Sequence, residues 1–232
     1  MYPIENSHYD FKRRINKVDS LQNINFYVEQ IDAYLNEALF IFIEEMLKLA
    51  EIDQNVMEAL SNLIESEHTL LSLTTEPLRI LAQLPTDYYR LLNSYSYIDS
   101  CKARINHYPI QHDDINAFLT DPNYKPSLLW RETGYQLEKG KIIVWTNGEF
   151  SIDKVVISYI KRHPRLGNPN GSRNGAYNLP DGTPAQQQGL LLDNKRQYDI
   201  IADIAVLNAS IDTSNPDYQI KLNKILQNYV SK

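Results

Sequence analysis

A long helical pattern near the N-terminus constrains the fold of this chain more than any other feature. Between about residues 23 and 51, apolar residues recur at spacings of three and four; they are Ile24, Val28, Ile31, Leu35, Leu39, Phe42, Met46 and Leu49. Phe40, Ile41 and Ile43 add apolar side chains on the other faces. A helix that is apolar nearly all round must be buried on more than one face. The pattern therefore predicts a central helix that contacts several neighbours.

Weaker patterns surround this helix. Residues 1–20 are polar and predict an extended arm. Residues 55–65 carry one apolar stripe, so they predict a second helix that packs on the first as a hairpin. Residues 67–110 consist of short apolar and tyrosine-rich stretches separated by threonine, serine and proline, which favours strands, with a short helix at 87–93 as an alternative for that part. Residues 112–119 predict a short helix, because Asp113 lies near its start and Pro122 follows its end.

The clearest strand signal is a hairpin around Asn147-Gly148. The flanking segments, Lys141–Thr146 and Glu149–Arg162, are rich in β-branched and aromatic residues. An Asn-Gly pair tolerates positive φ at both central positions of a type I′ turn. The sequence therefore predicts that these two segments are strands paired with each other.

A long aperiodic segment separates the strands from the last helices. Residues 163–189 hold five of the eight glycines and four of the eleven prolines of the chain. Loops of this length are uncommon in compact domains, and they usually bind something or are disordered. Helical periodicity returns at residues 194–210, where Ile200, Ile201, Ile204 and Leu207 form a stripe. Asn215-Pro216 then predicts an N-cap and a first turn that open a final helix.

The order of these elements predicts an α+β fold. The simplest arrangement is a helical bundle built from both ends of the chain, with an inserted β-rich module and a long loop. The predicted domains are an arm and helical hairpin at 1–66, the β-rich insertion at 67–189 with its loop at 163–189, and C-terminal helices at 190–232 that return to the bundle.

Composition narrows the classes of function. The formal net charge of −6 argues against a protein that coats nucleic acid. One cysteine, Cys101, excludes an internal disulfide. The longest apolar run, Ala38–Ile43, is six residues, against the roughly 18–20 that a membrane span needs, so we expect a soluble chain. The sixteen tyrosines favour surfaces that become half-buried at contacts, with a tyrosine-rich core as the alternative.

The sequence offers little support for catalysis. His112-Asp113-Asp114 is its one dense cluster of histidine and acids, and a small metal-dependent enzyme is the corresponding hypothesis. Carboxylates at a helix start have a simpler role, because they offset the helix dipole. Gly134 and Gly140 before Lys141 superficially resemble a phosphate-binding loop, but the spacing is one residue too long and Ile142 replaces the serine or threonine. We therefore expect no enzymatic activity, no cofactor and no metal.

A basic stretch leads into the long loop. It contains Lys161, Arg162, His163, Arg165 and Arg173. Such residues can contact an acidic neighbour or DNA phosphates, and a nucleic-acid-binding accessory protein is an alternative function. A solvated loop is the simpler interpretation.

The order of packing signals from the β region onward resembles a known family. The matching signals are Tyr108-Pro109-Ile110, His112-Asp113-Asp114-Ile115, Phe118-Leu119, Asp121-Pro122, Lys125-Pro126, the strand pair, Ile157–Pro164 and Tyr198–Val206. In this order the chain resembles the ring, or head–tail connector, proteins of tailed bacteriophages, most closely those of crAss-like phages. The resemblance covers residues of about 20–230. Its motifs concern strand and helix packing and report no chemistry.

The resemblance implies a structural virion protein. It implies a homo-oligomer, in the form of a dodecameric ring under the portal protein, that joins further ring or tail proteins and extends the channel through which DNA passes without sequence readout. It also implies location at the head–tail junction of the virion after synthesis in the bacterial cytoplasm. The residues that we expect at interfaces between subunits or with partners are Leu39, Phe40, Ile41, Phe42, Ile43, Arg162, Arg165, Arg173 and Tyr177.

Overall fold

The chain has a mixed α+β fold, as expected. A computed structural model describes residues 2–18, 26–50, 54–70, 73–98, 103–172, 176–179, 182–192, 194–211 and 215–230. The chain forms two compact units, which we call the helical unit (residues 1–62 and 163–232) and the sheet unit (residues 63–162). The long loop at 163–189 therefore belongs to the helical unit.

The helical unit contains four α-helices among its described residues. They are α1 (Ile4–Val18), α2 (Val28–Ala50), α4 (Lys195–Ser210) and α5 (Pro216–Val230). A 3₁₀ helix, Gln54–Leu63, follows α2 where the sequence predicted a second α-helix at 55–65. Helix α4 packs against α1, α2 and α5. The stripe predicted for α4 is buried, and it lies in this packing.

Helix α1 corrects the prediction of an extended arm at 1–20. Ile4, Phe11 and Ile15 are buried and share one face with His8. Arg14 forms ion pairs with Asp199 and Asp203 of α4. The sequence signal was weak because polar residues hold part of this face.

Asparagine side chains cap the last two helices, and the cap at Asn215 was predicted from the sequence. The Asn194 side chain accepts a hydrogen bond from the backbone N–H of Arg196 at the start of α4. The Asn215 side chain accepts one from the backbone N–H of Asp217, with Pro216 as the first residue of α5. These side chains satisfy N–H groups that have no partner inside the helix.

The described residues of the sheet unit form eight strands. They are β1 (Ile64–Leu70), β2 (Leu73–Glu76), β3 (Arg79–Gln83), β4 (Tyr88–Ile98), β5 (Arg104–Pro109), β6 (Glu132–Glu138), β7 (Lys141–Trp145) and β8 (Ile152–Lys161). Their order in the sheet is β1-β8-β4-β5-β6-β7-β3-β2. Neighbouring strands are antiparallel except β5 and β6, which are parallel. Helix α3 (Ile115–Thr120) lies between β5 and β6 in the chain, after a 3₁₀ turn at His112–Asp114.

The predicted hairpin around Asn147-Gly148 is wrong, although both of its strands exist. Strand β7 pairs with β3 and β6, whereas β8 pairs with β1 and β4. Of the two turn residues only Gly148 has positive φ, and the Asn147 side chain accepts a hydrogen bond from the backbone N–H of Glu149. This Asx turn leads the chain away from β7.

The sheet curls around its own core. Buried residues of β1, β3, β4, β5, β7 and β8 form one apolar cluster, although three strands separate β7 from β8 in the sheet. The outer face of β7 is also buried, because Ile143 and Trp145 pack against Phe118 of α3. Burial on both faces explains the unbroken run Ile142-Ile143-Val144-Trp145.

Candidate interaction surfaces

The apolar centre of α2 is largely buried within one chain. Leu39, Phe42 and Ile43 are buried in the helical unit, and Phe42 is 0% exposed. Ile41 is half-buried, and Phe40 is 56% exposed. Three of the five residues of α2 predicted at an interface are therefore core residues of the helical unit. Of this segment, only Phe40 and Ile41 reach the surface.

The long loop is held to α1 and α2 by buried polar groups. Asp32 of α2 is 0% exposed, and one carboxylate oxygen lies 2.6 Å from Nε2 of His8. Its other oxygen accepts a hydrogen bond of 3.0 Å from the backbone N–H of Asn168. The same N–H lies 3.2 Å from the hydroxyl of Tyr177. Tyr177 is half-buried, so this predicted contact residue also helps to order the loop.

A second pair of bonds fixes the loop two residues earlier. The Asn36 side chain accepts a hydrogen bond from the backbone N–H of Leu166 at 2.8 Å and donates one to its carbonyl at 2.9 Å. Next to it, Nε2 of the buried His163 accepts a bond from the backbone N–H of Leu191. Burial lowers the pKa of His163, so the imidazole is neutral. The segment at 163–172 is therefore an ordered part of the helical unit.

The basic stretch does not act as one charged patch. Lys161 forms an ion pair of 3.1 Å with Glu65, and His163 is buried and neutral. Arg162, in the sheet unit, and Arg165, in the helical unit, are exposed. Arg173 lies outside the described residues. Charge at the surface is thus carried by individual arginines.

The residues considered for catalysis do not converge. His112, Asp113 and Asp114 are all exposed. Within the described ranges, no group of three or more histidine, cysteine or acidic side chains could hold a metal ion. Cys101 lies outside the described residues.

A serine–histidine cluster in the sheet unit, with two buried serines and a partly buried imidazole, has a structural role. His107 of β5 lies between Ser96 and Ser94 of β4, with Nε2 2.8 Å from one hydroxyl and Nδ1 3.1 Å from the other. Burial lowers the pKa of His107 to about 3, so the ring is neutral. Both serines are buried, which keeps their hydroxyls from solvent and from a substrate.

An exposed apolar turn stands out on the sheet unit. Leu128, Leu129 and Trp130, which we call the apolar tip, follow one another between α3 and β6. Leu129 is 84% exposed and Trp130 is 74% exposed. Exposed tryptophan next to exposed leucine is unusual on a monomer and is typical of contact sites.

The backbone around the apolar tip is well fixed. Ser127 and Glu132 close the turn through a pair of backbone hydrogen bonds of 3.0 and 3.2 Å. The Ser127 hydroxyl accepts a further bond from the backbone N–H of Trp130, and Arg131 has positive φ. The Arg131 carbonyl accepts a bond from the backbone N–H of Asn106 in β5. The turn therefore holds the three side chains outward on a rigid base.

Sequence reasoning missed the apolar tip. Periodicity analysis weighs apolar residues that recur, and three adjacent ones after Lys125-Pro126 fit neither a helix nor an alternating strand. The available signal was an apolar triplet with no periodic context.

The helical unit offers an apolar groove between α4 and α5. Its volume is about 420 Å³. Val206, Leu207, Ile211 and Ile225 supply apolar lining, and Asp203, Ser210, Lys221 and Lys224 are the polar lining residues. An apolar floor with a few polar groups at the edge is the usual form of a binding groove.

Comparisons with known proteins give no family assignment. No protein-family model matches the chain, and no curated protein matches it either. In the described part of the chain, none of the helices combines the length and the apolar character that crossing a membrane requires.

Proposed function

We propose that this protein is a structural subunit that assembles into a ring at the head–tail junction of a tailed bacteriophage. The apolar tip is the observation that carries the proposal, because a rigid turn displays a tryptophan and two leucines to solvent. Tryptophan is among the residues that contribute most to protein–protein contacts. The resemblance of residues of about 20–230 to connector proteins supports the phage context, with the portal and tail proteins as further partners and DNA in the channel.

The partner surface that we infer for the tip is the groove between α4 and α5 of the next copy. Tip and groove are different patches, so their contact is heterologous, and heterologous contacts repeat around a ring when the rotation closes. Opposite charges also stand on the two patches, because Glu132 follows the tip while Lys221 and Lys224 line the groove. Tip-to-tip contact would instead stop at a dimer.

The same proposal includes a finer description of the fold. The helices from both ends of the chain form one bundle, and the sheet unit is inserted into it. Support comes from the composition of the helical unit, which combines residues 1–62 with 163–232, and from the packing of α4 on α1 and α2.

The test is the oligomeric state of a tip variant. We expect wild-type protein to form closed rings in negative-stain electron microscopy and a single large species in sedimentation velocity. Leu129→Ser with Trp130→Ser should remain folded, because both side chains are exposed, and should sediment as a monomer. Tyr9→Ser is the matched control, since it removes an exposed aromatic from α1 and should leave assembly intact. Equal assembly of the tip variant and the wild type would refute the proposal.

A cysteine cross-link identifies the partner surface. In a Cys101→Ser background, chains with Trp130→Cys are mixed with chains with Ile225→Cys and oxidised. Tip-to-groove contact predicts a disulfide in the mixture and little in either chain alone. Efficient cross-linking of Trp130→Cys chains with one another would instead show tip-to-tip pairing and exclude the groove.

A further inference from the structure

A basic cleft lies in the sheet unit where three distant segments meet. Its volume is about 510 Å³. The lining comes from the turn between β6 and β7, the connection between β3 and β4, and the residue after β8; the charged members are Glu138, Lys139, Lys141 and Arg162. The curl of the sheet creates the cleft, because three strands separate β7 from β8 in the sheet order.

Backbone hydrogen bonds fix the segments that carry the cations. The Gly140 carbonyl accepts bonds from the backbone N–H of Leu84 at 2.9 Å and from the Gln83 side chain at 3.0 Å. On the other side, the backbone N–H of Arg162 donates to the carbonyl of Asp87. The β3–β4 connection therefore positions both the lysines and the arginine.

The cleft is basic on an acidic protein. Lys139, Lys141 and Arg162 are exposed, and Glu138 lies 3.5 Å from the ammonium group of Lys139. Three cations against one carboxylate leave a local excess of positive charge, although the chain as a whole carries −6. A local excess of this kind attracts an anion to one place without making the protein coat nucleic acid.

Two tyrosines complete the lining. Tyr88 and Tyr89 are half-buried in the cleft. Burial raises the pKa of Tyr88, so its phenol stays protonated and can donate to an anionic oxygen. Arginine and lysine with tyrosine hydroxyls are the usual donors to phosphate oxygens of nucleic acid, and a tyrosine ring can also stack on a base.

We propose that this cleft binds the phosphodiester backbone of nucleic acid without reading its sequence. The guanidinium of Arg162 suits two oxygens of one phosphate, and the two lysines add point charges beside it. This inference deepens the proposed function. It rests on that function in one respect only, which is that the bound DNA is the phage genome. An acidic peptide is the competing ligand, and the experiment includes it.

The experiment is fluorescence anisotropy with a short labelled DNA duplex and with one of its single strands, at several salt concentrations. The cleft variant is Lys139→Asn with Lys141→Gln and Arg162→Gln; asparagine keeps the positive φ that position 139 requires. The control variant, Lys12→Gln with Lys154→Gln and Lys195→Gln, removes the same charge from exposed positions outside the cleft. Arg162→Gln alone serves as a milder cleft variant.

The cleft variant should lose about tenfold or more in affinity, and its slope of log K against log salt should flatten by about 0.9 per lost contact on duplex DNA and about 0.7 on single strands. The control variant should keep the wild-type affinity and slope. Three affinity results would overturn the inference: no DNA binding by the wild type, equal losses of affinity in the cleft and control variants, or an unchanged affinity in the cleft variant. Displacement of the labelled DNA by polyglutamate as effectively as by unlabelled DNA would also overturn it. Leu129→Ser with Trp130→Ser should still bind DNA, so failure of assembly and failure of the cleft are distinguishable.

Discussion

Two histidines that stay neutral, the buried His163 and the partly buried His107, make the stability of this protein sensitive to mild acid. His107 is held between two serine hydroxyls in the sheet unit, and His163 accepts a backbone hydrogen bond in the helical unit. Burial lowers the pKa of both. In the unfolded chain each ring takes up a proton near its ordinary pKa of about 6.5. Their contribution to stability is therefore complete above that pH and is lost as the pH falls below it.

For His107 we expect the free energy of unfolding to fall by about 2 kcal/mol between pH 7 and pH 5, since the folded-state pKa of this residue is about 3. Urea unfolding at several pH values measures it. His107→Gln keeps a donor and an acceptor but cannot titrate, so the variant should be less stable at pH 7 and show a flatter pH dependence. His112→Gln removes an exposed imidazole and is the matched control. A His107→Gln profile as steep as the wild-type one would contradict the assignment.

Helix α3 packs closely on the sheet because the facing residue, Gly134 of β6, has no side chain. A Cβ at Gly134 of β6 would lie 1.7 Å from Cδ1 and 2.4 Å from Cγ1 of Ile110, and 3.0 Å from Cζ of Phe118. Ile110 and Phe118 belong to the apolar cluster that covers the outer face of β7. The absence of a side chain at 134 therefore allows the segment that ends in α3 to approach the sheet.

Gly134→Ala should destabilise the protein by about 1–3 kcal/mol through overpacking. Ile110→Ala removes the atoms that the new methyl group meets, so the double variant should lose less stability than the sum of the single variants. The coupling should be about 0.5–3 kcal/mol in a double-mutant cycle, measured by urea unfolding. Strict additivity would show that the two positions do not meet.

At the level of elements, the sequence predicted which segments are helices and strands better than which strands pair. The α2, α4 and α5 predictions are confirmed because periodicity and caps are local properties. The predicted pairing of β7 with β8 was wrong. The tight turn that pairs β7 is Lys139-Gly140, with φ of 48° and 76°, and it joins β7 to β6, whereas Asn147-Gly148 does not close a hairpin. A lysine at a turn position gives no sequence signal.

The candidate sites were less predictable than the fold, for the same physical reason. Arg162 was singled out from the sequence, but its neighbours in the cleft, Lys139 and Lys141, come from a strand pair whose position depends on the curl of the whole sheet. Phe42 was predicted at an interface, yet the packing of helices distant in sequence buries it within the chain. Local sequence patterns predict secondary structure, whereas the contacts of a side chain depend on the packing of segments distant in sequence.

At the scale of the molecule, the sheet unit begins and ends at neighbouring points. Ile64 of β1 pairs with Ile160 of β8, so the first and last strands of the unit lie side by side. The Cα atoms of paired residues on antiparallel strands are about 4.5–5.5 Å apart. A short linker can therefore span the gap that removal of the sheet unit would leave.

We expect a chain in which a short Gly-Ser linker joins residues 1–62 to 163–232 to fold, with helical circular dichroism and cooperative urea unfolding. A matched chain that joins 1–66 to 190–232 follows the boundaries predicted from sequence and lacks Leu166 and Asn168. Without them Asp32 and Asn36 lose buried partners, and unpaired buried polar groups cost about 1–3 kcal/mol each. The second chain should unfold at lower urea or not fold. Equal stability of the two chains would mean that the 163–189 segment is not part of the helical core.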